Sequence, residues 1–573
     1  MTKQLKILLA FLIGLYLFTR FFNLLIIPVF ADEAIYIRWS QIAWLDPNHR
    51  MISLTDGKPP LHIWAMIPFW TTISDPLFAG RLTSIIAGLA TMIGIFFTGK
   101  KLLNKEVGGL AAFLYIVQPF ALMYDRMALA DSMLTAFGIW IFYTALHLFR
   151  KPTIVKSIIL GILFAAAMLT KPTGIIFMIL TPLLLFIIPI QKKSKNQYSV
   201  LNTQYYSNWF STIKQLIIPA IISGIIGLGI YNLLRLSNAF YMIELRSLDY
   251  TRSQEEIITK FHEYFLQTFV VITKWLSSYL TLPVLIIITI FPVTLIILDT
   301  IKNNKQKVKK NDKPDNKTLM KAIKNGKYSL WFKPKKKLVP KWLFNLSQTT
   351  WIAIILFLYA LIPTVGEATV GKIIFPRYSL FILPAILLLL SLTIITILKT
   401  NWGNRLVISG ISIIVFAMIF VWLRFSAFLL LNPANAPLEY AERSQYIENW
   451  SAGYGIQDAA QFLKTTAQNR NIVVGVEGYW VLESSLSMYL EGTQAFKNIE
   501  FVSQNPQIGE LDQYLIDQSL QGIPTFLIVN SNRLLSKDER LQEIGRTTRP
   551  IGREGEQSLV IYRILEIQEI PRE

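Results

Sequence analysis

The 573-residue chain is 53% hydrophobic and 13% aromatic, with only 16% charged residues and a mean hydropathy of +0.44, against about 25% charge in a soluble protein. It has no cysteine, which excludes disulfide scaffolds, thiol catalysis and cysteine metal sites. The net charge of +20 does not mark a nucleic-acid binder, because most of it lies in one segment: between Lys302 and Lys341 there are 15 Lys against Asp312 and Asp315.

Long apolar runs between short polar turns predict an α-helical polytopic membrane protein. The expected spans lie near 5–27, 77–99, 107–124, 131–149, 154–170, 173–190, 214–236, 277–299, 349–364, 378–398 and 404–430, eleven crossings in all. Runs 107–149 and 154–190 are each too long for one crossing at about 1.5 Å per residue. They break at Asp125, Arg126 and Asp131, and at Lys171-Pro172-Thr173-Gly174. With the N-terminus in the cytoplasm, each inner end carries base: Lys3 and Lys6, Lys100 and Lys101, Arg150 and Lys151, Lys192 and Lys193, Lys399 and Arg405. The basic loop 300–348 then faces the cytoplasm and its anionic lipids. Val29-Phe30-Ala31 imitates a signal cleavage site, but Arg20 and Asn23 within the first run favour a retained helix.

Residues 33–76 mix Ile, Trp and Tyr with polar residues in runs too short to cross. Two helices on the outer membrane surface are expected, Glu33–Trp44 and Leu61–Thr72, with a turn at Asp56–Pro60. Residues 1–431 thus form a membrane domain. From Asn432 to Glu573 the balance is 12 Lys/Arg against 19 Asp/Glu, placing this part opposite the basic loop, outside the cytoplasm. Helices near 455–469, 481–490 and 510–520 alternate with strands near 471–477, 497–502, 524–530 and 558–564, an α/β domain over 432–573 with no glycine-rich phosphate loop.

Ionisable residues interrupt the outer helix ends: Asp32, Glu33, Lys58, His62, Asp125, Arg126, Asp131, Lys171, Glu367, Lys372 and Arg377. Such groups are costly at a membrane and persist when they pair or line a polar cavity. Any one of them reads equally well as a structural ion pair; together they read as a site that handles a proton and holds an anion.

Several of these residues lie in motifs that resemble the superfamily C membrane glycosyltransferases. TRFFNLLIIPVFADEAIY, Thr19–Tyr36, resembles the first helix and loop of protein O-mannosyltransferases, with Arg20, Pro28, Asp32 and Glu33 in the family's order. KPPLHIW, Lys58–Trp64, resembles a motif of the aminoarabinose transferases that modify lipid A. DRMALADSMLTAF (Asp125–Phe137), LTKPTG (Leu169–Gly174) and FPRYSLFILP (Phe375–Pro384) are similar to further superfamily segments. ENWSAGYG, Glu448–Gly455, lacks the core of the oligosaccharyltransferase signature.

The resemblance implies a polyprenyl-phosphate sugar donor, by default mannose or a related hexose. Transfer goes to an acceptor hydroxyl on the extracytoplasmic face, with inversion. Asp32 is then the expected general base, since a carboxylate must reach the hydroxyl it deprotonates. Glu33 is expected beside it in the catalytic pair, orienting a partner or meeting acceptor. Lys58 and Arg377, with Arg126 and Lys171 behind them, are expected on the donor phosphate. Asp131, Tyr36, His62 and Glu367 are expected on sugar or acceptor. No cofactor is called for and no metal is expected, although Asp32, Glu33, Asp131 and Glu367 are of the type that gathers a divalent cation. The expected partners are the lipid-linked donor, a protein, lipid or glycan acceptor, and membrane lipids. The alternative is a transporter or flippase of lipid-linked sugars, against which stands the lack of repeated halves; a sensor or scaffold leaves the membrane charges unexplained.

Overall fold

The computed structural model describes residues 2–187, 201–311, 346–399, 405–478 and 481–566. Most of the basic loop, 312–345, lies outside them, as do Lys192 and Lys193. Among the described residues eight helices are long and apolar enough to cross a bilayer: Lys3–Phe21, Pro76–Leu102, Ala130–Arg150, Lys214–Leu236, Leu282–Asn303, Gln348–Val370, Pro376–Lys399 and Ser412–Leu431. Lys105–Val117 and Pro119–Asp125, bent by 65°, make a ninth if counted as one span.

Of the eleven expected crossings, eight or nine thus reach the length and apolarity of a span among the described residues. Ile154–Thr170 and Pro172–Phe186, on either side of the Lys171-Pro172 break, are apolar helices of shorter length. The expected 277–299 span is divided at Thr281, which takes a φ of +73° between Phe261–Leu280 and Leu282–Asn311. Phe261–Leu280, absent from the sequence expectation, carries Lys, Glu and His on one side and buries Ile272, Trp275, Leu276 and Tyr279 on the other.

Seven helices frame the site: α1 (Lys3–Phe21), α2 (Ala31–Leu45), α3 (Leu61–Trp70), α4 (Pro76–Leu102), α5 (Lys105–Val117), α6 (Pro119–Asp125) and α7 (Ala130–Arg150). α4 packs on both α5 and α7. A Cβ on Gly108 of α5 would collide with the backbone of Phe96 and Lys100 in α4, so glycine sets that close approach. On α4, a Cβ on Gly88 would strike Tyr16 and Asp125. The basic ends meet at one end of the bundle, where Lys399 Nζ lies 3.5 Å from Glu106 and Lys156 Nζ donates to Lys151 O at 2.7 Å.

α2 and α3 are the two expected short helices, joined through a turn where Gly57 takes a φ of +67°. The last long helix ends at Leu431. Beyond it five strands form one sheet in the order β2-β1-β3-β5-β4. β1 (Ile472–Glu477), β2 (Ile499–Gln504) and β3 (Thr525–Asn530) are parallel; β5 (Ser558–Ile564) pairs antiparallel with β3 and with β4 (Leu541–Thr548). β4 was not expected: its sequence LQEIGRTT is polar and its residues mostly exposed, as suits an edge strand. The sheet domain sits over α2. Gln41 Nε2 donates to Met488 O at 2.9 Å, Arg38 pairs with Glu491, and Ala31 N donates to Ser451 O at 3.0 Å.

Candidate active site

The charged helix ends fall into two groups with different chemistry. The first is structural. Arg20 and Asp125 are fully buried and paired at 3.2 Å. The carboxylate also accepts from Tyr16, Tyr115 and Ser132, and the guanidinium spends its other donors on Thr19 and on Ile116 O and Tyr115 O.

Glu33, expected in the catalytic pair, belongs to this group. Its Oε1 accepts from Arg81 Nε at 2.9 Å and Ala128 N at 2.6 Å; its Oε2 accepts from Arg81 Nη2 at 2.9 Å and Phe30 N at 3.0 Å. With four bonds made and no exposure, it has no lone pair to offer a substrate. Arg81, which the sequence reading passed over, completes its own set on Leu24 O, Ile27 O and Pro28 O. The signal was present: a lone arginine in a 27-residue apolar span needs a buried partner.

Arg126 also departs from expectation. It donates to Phe22 O at 2.9 Å and to Asn23 O, while Nε and Nη1 are buried without partners. Burial, with Arg81 and Arg20 nearby, pushes it down to about 9. It lies with these structural arginines and not with Lys58, Lys171 and Arg377.

The second group surrounds Asp32. Asp32 stands in the first turn of α2 beside Glu33, and there the helix turns the two carboxylates to different neighbours. Asp32 Oδ2 meets Arg377 Nη2 at 2.7 Å, with the carboxylate 31% exposed and the guanidinium 8%. Arg377 comes from the turn of 3-10 helix Pro376–Ile382 that heads a membrane span. Its guanidinium rests among the rings of Phe30, Phe375 and Tyr378, and its Nη1 donates to Tyr446 Oη at 3.4 Å. Lys171, in the Pro-Gly break, pairs with Asp131 at 2.7 Å and lies 4.0 Å from the centre of the Tyr378 ring. Burial lowers Lys171, Asp131 opposes that, and Arg377 and Lys58 add to it.

Lys58 lies 5.3 Å from the centre of the Tyr250 ring. Burial pushes it down, but Asp32, Tyr250 and Asp56 outweigh burial and hold it above the usual lysine value. Among the described residues no carboxylate comes within 4.0 Å of its ammonium. Lys58 therefore keeps its charge without a direct ion-pair partner among the described residues. Tyr36, one turn after Asp32, stacks on Trp39, and burial followed by the field of Asp32 raises its hydroxyl well above the usual value. Glu367 accepts from Ser379 Oγ at 3.0 Å through Oε2, leaving Oε1 buried and without a partner.

His62, expected on sugar or acceptor, is 1% exposed, with the Ala128 backbone and the Asp131 carboxylate near its ring. Burial pushes it down to about 4, so it is a neutral ring packed edge-on to Tyr36. It stands between the Tyr36 ring and Asp131. Among the described residues no three His, Asp or Glu side chains gather as metal ligands. Of the ten expected site residues, Asp32, Tyr36, Lys58, Asp131, Lys171, Glu367 and Arg377 are brought together. Tyr378, next to Arg377 in the Phe375–Pro384 motif, joins them, and Tyr250 and Tyr446 do so without a sequence signal, since tyrosine is common at membrane interfaces.

A family model described as dolichyl-phosphate-mannose-protein mannosyltransferase matches residues 57–204, a stretch that holds Lys58, Asp131 and Lys171. No curated protein matches the sequence. Crystal structures of ArnT from Cupriavidus metallidurans, bound to undecaprenyl phosphate and in the apo state, are 12% and 11% identical to this chain. Each covers 98% of this chain and 99% of its own, at a TM-score of 0.53. The Archaeoglobus fulgidus oligosaccharyltransferase in the apo form is 10% identical, with 91% and 69% covered and a TM-score of 0.48. The motifs, the family match over 57–204 and the ArnT-like fold over nearly the whole chain make this protein similar to the superfamily C membrane glycosyltransferases.

Proposed function

We propose that the chain is an integral-membrane glycosyltransferase that moves a hexose, mannose by family default, from a polyprenyl-phosphate donor to an acceptor hydroxyl. The observation that carries this reading is the Asp32–Arg377 pair at 2.7 Å with the unpaired Lys58 beside it. A carboxylate and an excess of cations at one partly exposed point suit a reaction that deprotonates a hydroxyl and releases a phosphate. ArnT of similar fold is described as bound to undecaprenyl phosphate, which supports a lipid-phosphate donor here.

In this reading the donor phosphate enters between Lys58 and Arg377 and draws the guanidinium from Asp32, since charge-assisted bonds to phosphate are strong and arginine binds it through two donors. Asp32, relieved of its partner, takes the acceptor proton. The acceptor oxygen bonds to the anomeric carbon from the face opposite the phosphate. The bond from that carbon to the phosphate oxygen breaks, and its electron pair leaves with the polyprenyl phosphate. The product is inverted, and the leaving anion is stabilised by cations already in place. Asp131, held by Lys171, and Glu367, with one oxygen free, face the sugar hydroxyls, with Tyr36 as an aromatic wall. No step calls for a metal. The active face is extracytoplasmic, shared with the sheet domain, and the N-terminus is cytoplasmic.

The test is donor cleavage: the full chain in lipid nanodiscs receives radiolabelled polyprenyl-phosphate mannose and membrane extract, and released polyprenyl phosphate is measured. Release that depends on Lys58 and Arg377 is the expected result. Donor binding without release by the wild type, repeated with other hexoses on the same lipid, contradicts the reading.

A further inference from the structure

β1 sends its chain to β2 on one side and has β3 on the other, so the connections diverge at the carboxyl ends of β1 and β3. Crevices at such switch points are the usual ligand sites of open α/β sheets. Here a cavity of about 230 Å³ opens beside Glu477 and Asn530, the last residues of those two strands. Val29 and Ala31, just ahead of Asp32, form one wall; Ile456, Val481 and Leu482 supply apolar surface.

The polar side of this cavity is built around Arg549, which is 2% exposed. Its Nε donates to Ala452 O at 2.8 Å and its Nη2 to Asn530 Oδ1 at 2.6 Å, while its Nη1 is buried without a partner. Buried donors are almost always satisfied. Glu477 is no partner for it: that carboxylate accepts from Asn530 N at 2.7 Å and from Asn530 Nδ2, and lies 3.6 Å from Arg533 Nη1. Arg533, the second guanidinium on the wall, lies over the Trp450 ring at 4.0 Å. Two guanidiniums thus face one carboxylate that is already committed. Burial pushes Arg549 down to about 10 and Glu477 only partly offsets it, the condition an anion relieves.

We infer that this cavity is a second binding site, for a small ligand of sugar size that carries a carboxylate or phosphate on a partly apolar body. Arg549 Nη1 takes the anion, Arg533 closes over it, and the Val29–Ala31 wall meets the apolar side. The site does not depend on the transfer reaction proposed for Asp32.

Binding is measured by equilibrium dialysis on the full chain in nanodiscs, with glucuronate, glucose 1-phosphate and neutral glucose as the probes. The variants are Arg549→Gln, Ser485→Phe, which fills the cavity while keeping Arg549, and Lys58→Ala, which weakens anion binding at the Asp32 cluster. At least one anion binds the wild type, glucose does not, and affinity falls at least tenfold in Arg549→Gln and Ser485→Phe but holds in Lys58→Ala. Glucuronate alone identifies a carboxylate site, glucose 1-phosphate alone a phosphate site, and both a site for either. No anion binding, equal binding of glucose, binding undiminished in folded Ser485→Phe, or binding lost in Lys58→Ala overturns the assignment.

Discussion

Arg377 and Asp32, 345 positions apart in sequence, meet at 2.7 Å where the head of a membrane span touches the first turn of α2. In the proposed reaction this contact ties the base to the group that holds the leaving phosphate, so that arrival of the donor changes the partner of Asp32. Arg377→Lys keeps the charge but loses the planar fork that reaches both Asp32 and Tyr446. Loss of one such preorganised donor costs about 100- to 1,000-fold in rate, and a fall of that order in kcat/KM for donor cleavage is expected.

Lys58 and Lys171 separate by a different experiment. Lys58 makes no direct ion pair among the described residues and lies against Tyr250 in the field of Asp32 and Asp56, whereas Lys171 is committed to Asp131 at 2.7 Å. Lys58→Ala raises the donor KM about tenfold or more, as loss of a charge-assisted phosphate contact does. Lys171→Ala leaves Asp131 without its cation and is expected to act mainly on kcat, by freeing the carboxylate proposed to orient the sugar. Steady-state kinetics over a donor titration tells them apart.

The Glu33–Arg81 pair is a matter of stability. Both side chains are buried and both complete their hydrogen bonds. Removing one partner of a buried pair costs about 3–5 kcal/mol, so Glu33→Ala and Arg81→Met each lower the melting temperature in detergent. The double variant loses less than the two singles combined, because neither charge is left alone.

Glu442 gives a pH dependence with a definite sign. It lies just past the last span, buried, accepting from Tyr279 Oη at 2.6 Å and from Tyr124 Oη. Burial outweighs those bonds and pushes its carboxyl up from 4.5 to about 7. A raised carboxyl favours the folded protein when protonated. This contribution is complete below about 4.5 and is lost as pH rises towards 7, on the order of 3 kcal/mol. Unfolding of the wild type and Glu442→Gln across pH 4 to 8 reads it: relative to the variant, the wild type loses stability through that window and levels off above it.

Much of this architecture is legible in the chain, because apolar runs and breaks at Pro-Gly and charged residues carry their physics locally. Asp32, Lys58, Lys171 and Arg377 stand out for the same reason, as charges where the bilayer makes charge costly. What separates Asp32 from Glu33 is not local. Adjacent on one helix turn, they differ only because Arg81 and Ala128 stand on one side and Arg377 on the other. Arg126 likewise stands out as a charge in the sequence, but that its Nη2 reaches the carbonyls of Phe22 and Asn23 and that its charged neighbours are Arg20 and Arg81 is set by the fold. β4 escaped because an exposed edge strand has no apolar alternation to read, and Tyr446 because its role depends on the sheet-domain linker folding back onto Arg377.

The most direct test of the account is Asp32→Asn in the donor-cleavage assay. The substitution keeps the size and a hydrogen-bond acceptor for Arg377 but removes the base. Asp32→Asn is expected still to bind polyprenyl-phosphate mannose and to release polyprenyl phosphate about 100- to 10,000-fold more slowly than wild type, the range of general-base catalysis. Cleavage at the wild-type rate, with donor binding unchanged, would contradict it.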